Sequence, residues 1–258
     1  MARCWEWVRK YSELQRIVIT HGTATLEETA YFLNLALHVD VPIVIVGAQR
    51  PMNALSSDAG LNLVNAIRVA ASPASRGLGV LVMLNDEIHA AREVTKTSTH
   101  RLQAFRTPEF GLLGTVDGDS VTFYRTPVRR CMPDTEFALA PLDSLPRVDI
   151  AYAYAGTNGT AVRAFLEAGA EGIVSAGFAP GFVGPGEREP LREAVESGVV
   201  VVVSTRGGSG RVFANSFNVE SGFLSADNLN PQKARILLSL GLSITRDREE
   251  IARMFAEY

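Results

Sequence analysis

The stretch around which this chain is organised is Val18-Ile-Thr-His-Gly-Thr-Ala-Thr25. The segment from Arg16 to Ile19 is predicted to be a strand, and it runs into a dense group of hydroxyl side chains. The following Thr25-Leu-Glu-Glu28 has the pattern of a capping box, which predicts that Thr25 caps a helix from about Leu26 to His38. A strand that passes through a short polar loop into a helix is typical of α/β folds.

The alternation of strands and helices continues through the first half of the chain. Pro42–Gly47 and Gly77–Leu84 are predicted to be buried strands, and the helix between them is predicted to start at Ser57 or Asp58. The segment Leu113–Tyr124 is then predicted to be a hairpin that turns at Asp-Gly.

A polar, proline-bearing segment from Arg125 to about Pro146 separates this half from the next, and we interpret it as a linker between domains. The alternation then resumes, with Asn230 predicted to cap the helix that begins at Pro231. It predicts a parallel sheet with helices on its faces. The predicted strands are 148–153, 172–176 and 199–204, and the predicted helices are 159–168, 187–197, 231–243 and 248–258.

Composition excludes several classes of protein. The chain has 258 residues and a formal net charge of −3, so we expect neither nucleic acid nor a membrane as a partner. Two cysteines, Cys4 and Cys131, are too few for a disulfide framework or a cysteine zinc cluster. Apolar runs such as Val199–Val203 are too short to cross a bilayer. The charge-interrupted N-terminal segment lacks the apolar core of a signal peptide, which favours a cytoplasmic location.

Four loops are expected at the carboxyl ends of the first strands, where open parallel sheets bind ligands. The loop His21–Thr25 is the strongest candidate, because its hydroxyls and the free N–H groups of the next helix suit a carboxylate or an oxyanion. A hydroxyl such as Thr23 and a lysine such as Lys96 that meet across a cleft could form a nucleophile-and-base or relay pair. The other loops are Gly47–Asn53, Asn85–His89 and Thr95–Thr99.

Each candidate also has a purely structural interpretation. Thr23 could be a turn hydroxyl bonded to the backbone, and Lys96 could be a solvated charge. Thr25 could act only as the helix cap. The group Asp86, Glu87 and His89 gives only a weak metal signal, because a second cluster of ligands is missing from the sequence.

The longest motif, Thr20-His-Gly-Thr-Ala-Thr-Leu-Glu-Glu-Thr-Ala-Tyr-Phe32, resembles the second signature of the bacterial L-asparaginase/glutaminase family. That signature usually reads T-H-G-T-D-T and continues into an E-E-T-A-Y-F helix. Similar strings follow in family order over nearly the whole chain. They are Gly47-Ala-Gln-Arg-Pro51, Asn85-Asp-Glu-Ile-His-Ala-Ala-Arg92, Val94-Thr-Lys-Thr97, Phe105-Arg-Thr-Pro-Glu-Phe-Gly111, Gly172-Ile-Val-Ser-Ala-Gly177 and Leu229-Asn-Pro-Gln-Lys-Ala-Arg235.

The resemblance implies a larger N-terminal parallel-sheet domain at residues 1–130, a linker at 131–146 and a smaller C-terminal α/β domain at 147–258. It implies hydrolysis of L-asparagine to L-aspartate and ammonia without a cofactor or metal, and it leaves L-glutamine open as a second substrate. It further implies a homo-oligomer, a dimer or a homotetramer, in which each site lies between the N-terminal domain of one subunit and the C-terminal domain of its partner.

The resemblance also assigns the site residues. Thr23 matches the second-triad threonine and Lys96 the lysine that pairs with it, so both are predicted to be catalytic. Thr23, Ala24 and Ala48 are the predicted substrate-binding residues, with Ala48 in the loop beside the substrate amide.

The chain departs from the family pattern in three respects. First, the family's opening strand, which ends in G-G-T-I and carries the usual acylated threonine, is not found. The chain starts just before the helix that precedes the T-H-G-T motif, so we expect an unpaired sheet edge and a less stable or aggregation-prone protein. Second, Ala24 replaces the aspartate that holds the substrate's α-ammonium. Third, Phe182 and Asn215 stand near the places of the partner-subunit asparagine and glutamate.

These departures leave alternatives open. The chain could be a catalytically inactive homologue that binds an amino acid, or a subunit of a hetero-oligomer with a complete paralogue. A misassigned start codon is a further alternative.

Overall fold

The computed structural model describes residues 14–137 and 144–258. The chain divides into two compact units, Met1–Leu139 and Ala140–Tyr258, here called unit 1 and unit 2. The predicted helix before the first strand falls in residues 1–13 and lies outside the described residues, as do residues 138–143 of the predicted linker. Within the described ranges, no helix is long and apolar enough to cross a bilayer.

Unit 1 is built on one mixed sheet, flanked by helices α1 (Leu26–Ala36) and α2 (Ala59–Ala71) and a 3-10 turn at Pro73–Ser75. Its strands are β1 (Ile17–Thr20), β2 (Ile43–Val46), β3 (Val80–Leu84), β4 (Glu87–Ala90), β7 (Gly114–Val116) and β8 (Val121–Phe123), with a separate pair β5 (Thr95–Lys96) and β6 (Phe105–Arg106). The sheet order is β1-β2-β3-β4-β7-β8.

The first three strands of unit 1 are parallel, as predicted, with Ile17 beside Ile43 and Ile43 beside Val80. Every residue of β2 and β3 is buried, which explains their continuous runs of Val, Ile, Leu and Met. Helix α2 packs on one face of these strands through Ala66, Val69 and Ala70. The core of unit 1 therefore lies under the three parallel strands. The carboxyl ends of these strands are all at the same edge of the sheet.

Beyond β3 the sheet is antiparallel, which corrects one sequence prediction. Asn85 and Asp86 both have positive φ, 52° and 62°, and two such residues in succession form a tight hairpin turn. The chain therefore reverses directly into β4 instead of passing through a helix. The prediction that Asn85–His89 form a ligand loop is wrong for Glu87–His89, which lie in β4. Similarly, the predicted loop Thr95–Thr99 begins with the strand β5.

The prediction that the Thr25 side chain caps α1 is also wrong. Helix α1 begins at Leu26 as predicted and ends at Ala36, two residues before the expected end. Thr25 precedes it, but its side chain makes no cap hydrogen bond. Its backbone, at φ −124° and ψ 19°, is not in the extended conformation that directs a capping oxygen at the first turn.

Residues 131–137 of the predicted linker pack against α1. Met132 and Phe137 are buried, and the hydroxyl of Thr135 donates to the carbonyl oxygen of Leu35 at 2.6 Å. The backbone N–H of Met132 donates to the carbonyl of Asn34 at 3.0 Å. Residues 131–137 are therefore fixed to unit 1.

Unit 2 is a four-stranded parallel sheet in the order β12-β11-β10-β9. The three predicted strands and four predicted helices are confirmed within one or two residues, and Asn230 caps its helix by accepting from Lys233 N–H at 3.0 Å. Helix α5 and strand β12 were not predicted. The elements are β9 (Val148–Tyr152), α3 (Thr160–Glu167), β10 (Gly172–Gly177), α4 (Arg188–Glu196), β11 (Val200–Thr205), α5 (Ser216–Glu220), β12 (Leu224–Ser225), α6 (Pro231–Leu242) and α7 (Arg248–Glu257).

Candidate active site

A threonine and a lysine from distant parts of the chain meet at the carboxyl end of β1. Lys96 Nζ donates a hydrogen bond to Thr23 Oγ1 at 2.8 Å, although the two residues are 73 positions apart. Thr23 lies in the loop between β1 and α1, and Lys96 ends β5. Both side chains are partly buried, so neither is a freely solvated surface group. The geometry places an amine within direct proton-transfer distance of a hydroxyl.

A buried carboxylate in α1 holds the backbone of the lysine. The main-chain N–H of Lys96 donates to Glu27 Oε2 at 2.5 Å, and Glu27 is only 4% exposed. On the other side, Lys96 is paired with Phe105 in the short β5–β6 ladder, and its Nζ lies 6.0 Å from the centre of the Phe105 ring. Glu27 therefore positions Lys96 through a contact that sequence reasoning missed. In the sequence, Glu27 is only part of the Thr25–Glu28 capping-box pattern.

A glycine after β2 lets the threonine loop approach. A β-carbon added at Gly47 would lie 2.9 Å from the His21 carbonyl oxygen and 3.0 Å from the Thr23 methyl carbon. The backbone N–H of His21 donates to the Val46 carbonyl at 2.9 Å, which extends the β1–β2 pairing to the loop. His21 Nδ1 lies 2.7 Å from the carbonyl oxygen of Gly22, so the imidazole interacts with its own loop.

A cavity of about 340 Å³ opens beside this loop. Ala48 forms part of its wall. Thr23 and Lys96 lie next to the cavity but do not line it. Gly22 and Gly47 lie between them and the cavity. The lining residues are Thr20, His21, Gly22, Val46, Gly47, Ala48, Met52, Ala59 and Leu63.

Asp58 fixes the loop that carries Ala48. Its carboxylate accepts from the main-chain N–H groups of Gln49 and Arg50 at 3.0 and 2.9 Å. Asn62, one turn into α2, donates to the carbonyl of Gly47 at 3.0 Å and to the Asp58 carboxylate. Asp58 precedes α2 as predicted but makes no cap hydrogen bond, because its oxygens are used by this loop.

Ala24 is exposed and its methyl group can hold no charge. It follows Thr23 in the same loop, so the structure brings Thr23, Ala24 and Lys96 to one place and Ala48 to the adjoining cavity. Thr25 is exposed and makes no contact that assigns it a role.

The weak metal candidates do not converge on one point. Asp86 accepts from Asn65 Nδ2 at 2.8 Å, while His89 Nε2 lies 3.3 Å from Glu87 Oε2. The other ring nitrogen of His89, Nδ1, lies 3.0 Å from Thr107 Oγ1. The imidazole beside it holds the pKa of the Glu87 carboxyl below its ordinary value. In the described ranges, no group of three or more His, Cys, Asp or Glu residues could hold a metal ion.

In unit 2, Phe182 and Asn215, which are expected near the places of the family's partner groups, have local roles. Phe178 and Phe182 exchange main-chain hydrogen bonds at 2.8 and 2.7 Å across a tight turn, and the Phe182 side chain is 48% exposed. Asn215 caps α5 by accepting from Asn218 N–H at 2.9 Å. Neither side chain carries a charge, so unit 2 presents no carboxylate at these positions.

Two family models match this chain, one in each unit. Residues 5–129 match the family described as asparaginase, N-terminal, and residues 147–255 match the glutaminase/asparaginase C-terminal domain. L-asparaginase 2 of Bacillus subtilis is 46% identical over 246 residues, which cover 95% of this chain and 65% of that protein. A relative in Haemophilus influenzae, named a probable periplasmic L-asparaginase, is 44% identical over 243 residues, which cover 93% of this chain and 70% of that protein.

The fold comparison agrees with the sequence comparison. The crystal structure of the probable cytoplasmic L-asparaginase from Campylobacter jejuni superposes with a TM-score of 0.96 at 40% identity, covering 99% of this chain and 82% of that one. The chain spans between 65% and 70% of the length of the two curated relatives above. The expected asparaginase-like α/β fold is thereby confirmed. The chain belongs to the asparaginase/glutaminase family.

Proposed function

We propose that this chain is an amidohydrolase that converts L-asparagine and water to L-aspartate and ammonia, with Thr23 and Lys96 as its catalytic pair. The observation that carries the proposal is the 2.8 Å contact between Lys96 Nζ and Thr23 Oγ1. Relatives named L-asparaginase at 44% to 46% identity support the choice of substrate.

The proposed chemistry needs two proton transfers at one nitrogen. Lys96 in its amine form takes the proton of the Thr23 hydroxyl as a new bond forms to the amide carbon of the substrate. The attacking oxygen is Thr23 Oγ1 itself or that of a water deprotonated through it. Cleavage of the carbon–nitrogen bond then returns the proton from Lys96 to the departing nitrogen, which leaves as ammonia. If Thr23 carries the acyl group, a water molecule releases aspartate by the same transfers.

Substrate binding is proposed to involve Thr23, Ala24 and the cavity that Ala48 lines. The cavity of about 340 Å³ is large enough for an amino acid of this size. Ala24 offers no charge to the α-ammonium, so we expect weaker transition-state binding than an aspartate there would give. L-glutamine is the second candidate substrate, because the C-terminal domain family is described as glutaminase/asparaginase.

Ammonia release from L-asparagine tests the proposal. We expect Lys96→Ala to lower kcat about 10²–10⁴-fold, the range for removal of a general acid–base group. Arg101→Ala is the matched control, since Arg101 is an exposed cation in the loop between β5 and β6. A covalent aspartyl adduct on Thr23, seen by mass spectrometry after rapid acid quench, would assign the nucleophile. Activity in Lys96→Ala equal to the control, or no activity in either the wild type or an Ala24→Asp variant, would contradict the proposal.

We further propose that the chain works as a homo-oligomer in the cytoplasm. The carboxyl ends of the unit 2 strands carry four large exposed aromatic side chains, a composition typical of contact surfaces. These are Tyr152, Tyr154, Phe182 and Phe213. The fold relative from Campylobacter jejuni is named cytoplasmic, whereas the Haemophilus influenzae relative is named periplasmic. Light scattering of the purified chain and fractionation of the source cells test the two statements; a monomer or a periplasmic product would refute them.

A further inference from the structure

The strand that carries Lys96 belongs to a ribbon with little stiffness of its own. β5 and β6 form a separate two-stranded sheet with two residue pairs, one of which joins Lys96 to Phe105. An isolated pair of strands is only marginally stable in water. The position of Lys96 therefore depends on the contacts that fix the β5–β6 ribbon to the rest of unit 1.

A buried side chain contacts each strand of this ribbon. On β5, Glu27 of helix α1 accepts from the main-chain N–H of Lys96. On the other side, Thr107 directly follows β6, and its Oγ1 lies 3.0 Å from His89 Nδ1. His89 belongs to β4 of the main sheet, where it pairs with Val82 of β3. The ribbon is thus joined to α1 through one strand and to the main sheet through the other.

The surroundings of His89 fix the role of its ring nitrogens. Nε2 lies 3.3 Å from Glu87 Oε2, on the same face of β4. A carboxylate beside Nε2 favours the tautomer with the proton on that nitrogen, so Nδ1 accepts and the Thr107 hydroxyl donates. The carbonyl of Thr107 in turn accepts from Gly111 N–H at 3.0 Å. The contact therefore joins two groups that are both held in place.

The order hydroxyl, imidazole, carboxylate is also that of a nucleophile triad. Thr107 is 6% exposed and His89 is 2% exposed, so a substrate cannot reach the hydroxyl. Burial also keeps water from competing for the contact. The arrangement is therefore suited to holding the chain and not to attacking a substrate.

We infer that His89 is a positioning residue for Lys96, acting through the Thr107 hydroxyl and the β5–β6 ribbon. The inference rests on the proposed function, because Lys96 belongs to the proposed catalytic pair. Thr107 is two residues from Phe105, which lies opposite Lys96, so a shift of Thr107 moves the lysine's strand. Lys96 Nζ must stay near Thr23 Oγ1, now at 2.8 Å, and a misplacement of 1 Å can cost about 10²-fold in rate.

Removal of one hydroxyl tests the inference. Thr107→Val keeps the shape of the side chain but cannot donate to His89. We expect kcat for L-asparagine to fall about tenfold or more, with KM little changed, because the residues that line the cavity are untouched. Thr107→Ser retains the hydroxyl and should keep most of the activity. Thr122→Val in β8, whose hydroxyl lies 3.3 Å from the exposed hydroxyl of Ser120, is the control.

A wild-type kcat in Thr107→Val would overturn the inference. An equal loss in Thr107→Ser would do the same, because packing and not the hydroxyl would then be responsible. If Thr107→Val does not fold, two variants of the histidine replace it. The side-chain amide of asparagine reaches about the place of Nδ1, and that of glutamine about the place of Nε2. We expect a higher kcat in His89→Asn than in His89→Gln, and the reverse order would contradict the assigned contact.

Amide hydrogen exchange separates this inference from the proposed function. The main-chain N–H groups of Lys96 and Thr97 donate to Glu27 and to the Ala104 carbonyl. We expect the peptide that contains them to exchange faster in Thr107→Val than in Thr122→Val. If the wild type releases no ammonia, the proposed function fails, and exchange alone decides whether His89 holds the ribbon. Equal exchange in the two variants would overturn the inference.

Discussion

The carboxyl ends of the strands carry different kinds of polar contact in the two units. In unit 2 the loops also meet, but through contacts to backbone and an aromatic ring: Arg206 donates to the Ala153 carbonyl at 3.1 Å and stacks 4.7 Å from the Phe178 ring. Thr205 accepts from the N–H of Gly207, two residues away. In unit 1 the equivalent edge brings together Thr23 and Lys96. Distant loops thus converge in both units, and the difference is that in unit 1 a hydroxyl and an amine meet side chain to side chain.

Two buried glutamates show the same difference. Glu27 in unit 1 accepts from the backbone of a residue 69 positions away and is 4% exposed. Glu187 in unit 2 is 1% exposed, interacts with Thr157 and Gly184, and its Oε2 has no hydrogen-bond partner within the described ranges. Burial raises the pKa of the Glu187 carboxyl above its ordinary value. One acid therefore positions the main chain of a catalytic candidate, whereas the other interacts with Thr157 and the loop at Gly184.

The largest expected effect is on the catalytic efficiency that the Thr23–Lys96 pair of unit 1 supplies. Ala24→Asp would add a carboxylate beside Thr23, and a hydrogen bond to a charged group contributes about 1.5–3 kcal/mol. We expect kcat/KM for L-asparagine to rise roughly tenfold to more than a hundredfold. Ala24→Asn, similar in size but uncharged, is the control. Equal activity in both variants would show that charge at this position does not matter.

Removing the Glu27 carboxylate should weaken unit 1. We expect Glu27→Ala to lower the free energy of unfolding by about 1.5–3 kcal/mol, because the buried N–H of Lys96 loses a charged acceptor. Glu27→Gln keeps an acceptor oxygen and should recover most of that loss. Urea unfolding measures both variants, and kcat reports the position of Lys96. Glu27→Ala with wild-type stability and kcat would remove the assigned role.

A glycine pair compares the two strand ends directly. A β-carbon at Gly47 would lie 2.9 Å from the His21 carbonyl oxygen, and one at Gly177 would lie 2.7 Å from the Phe182 carbonyl oxygen. We expect Gly47→Ala and Gly177→Ala each to cost about 1–3 kcal/mol of stability, since the backbone must shift to relieve the overlap. Thermal unfolding measures the cost. Gly60→Ala, where a β-carbon meets open space, is the control and should not destabilise the protein.

The smallest expected effects have opposite signs in the two units. The lowered pKa of Glu87 contributes stability above its unfolded value, which is lost as the pH falls through the folded pKa. The raised pKa of Glu187 costs stability as the pH rises from the unfolded value through the folded one. At neutral pH we therefore expect Glu87→Gln to lower Tm and Glu187→Gln to raise it, each by about 2–4 °C. Both differences should vanish in acid, and melting curves across pH check the signs.

Much of the fold could be predicted from local pattern. Buried parallel strands such as Ile43–Val46 appear as continuous apolar runs, and Asn230-Pro231 marks a helix start, so both were located within one or two residues. Prediction failed where the observed turns and strand pairing differ from what the residue types indicate. The polar group Glu87–His89 became a strand because Asn85 and Asp86 turn the chain back at once.

The candidate site was predictable only in part. Thr23, Lys96 and Ala48 could be chosen because their motifs resemble those of a family. Glu27 and Asp58 were assigned to helix starts, because a carboxylate before or within a first turn normally acts there. Their actual partners are backbone N–H groups in other loops.

The sequence by itself determined the alternation of strands and helices, the family, and the loss of a carboxylate at Ala24, because these depend on residue identity and local spacing. Only the tertiary structure decided that Lys96 reaches Thr23 and that Glu27 holds the lysine's backbone. Those facts depend on which distant segments meet. Contacts between residues 69 or 73 positions apart are fixed by the order of the strands in the sheet and by side-chain packing. Neither the strand order nor the packing can be predicted from a short stretch of sequence.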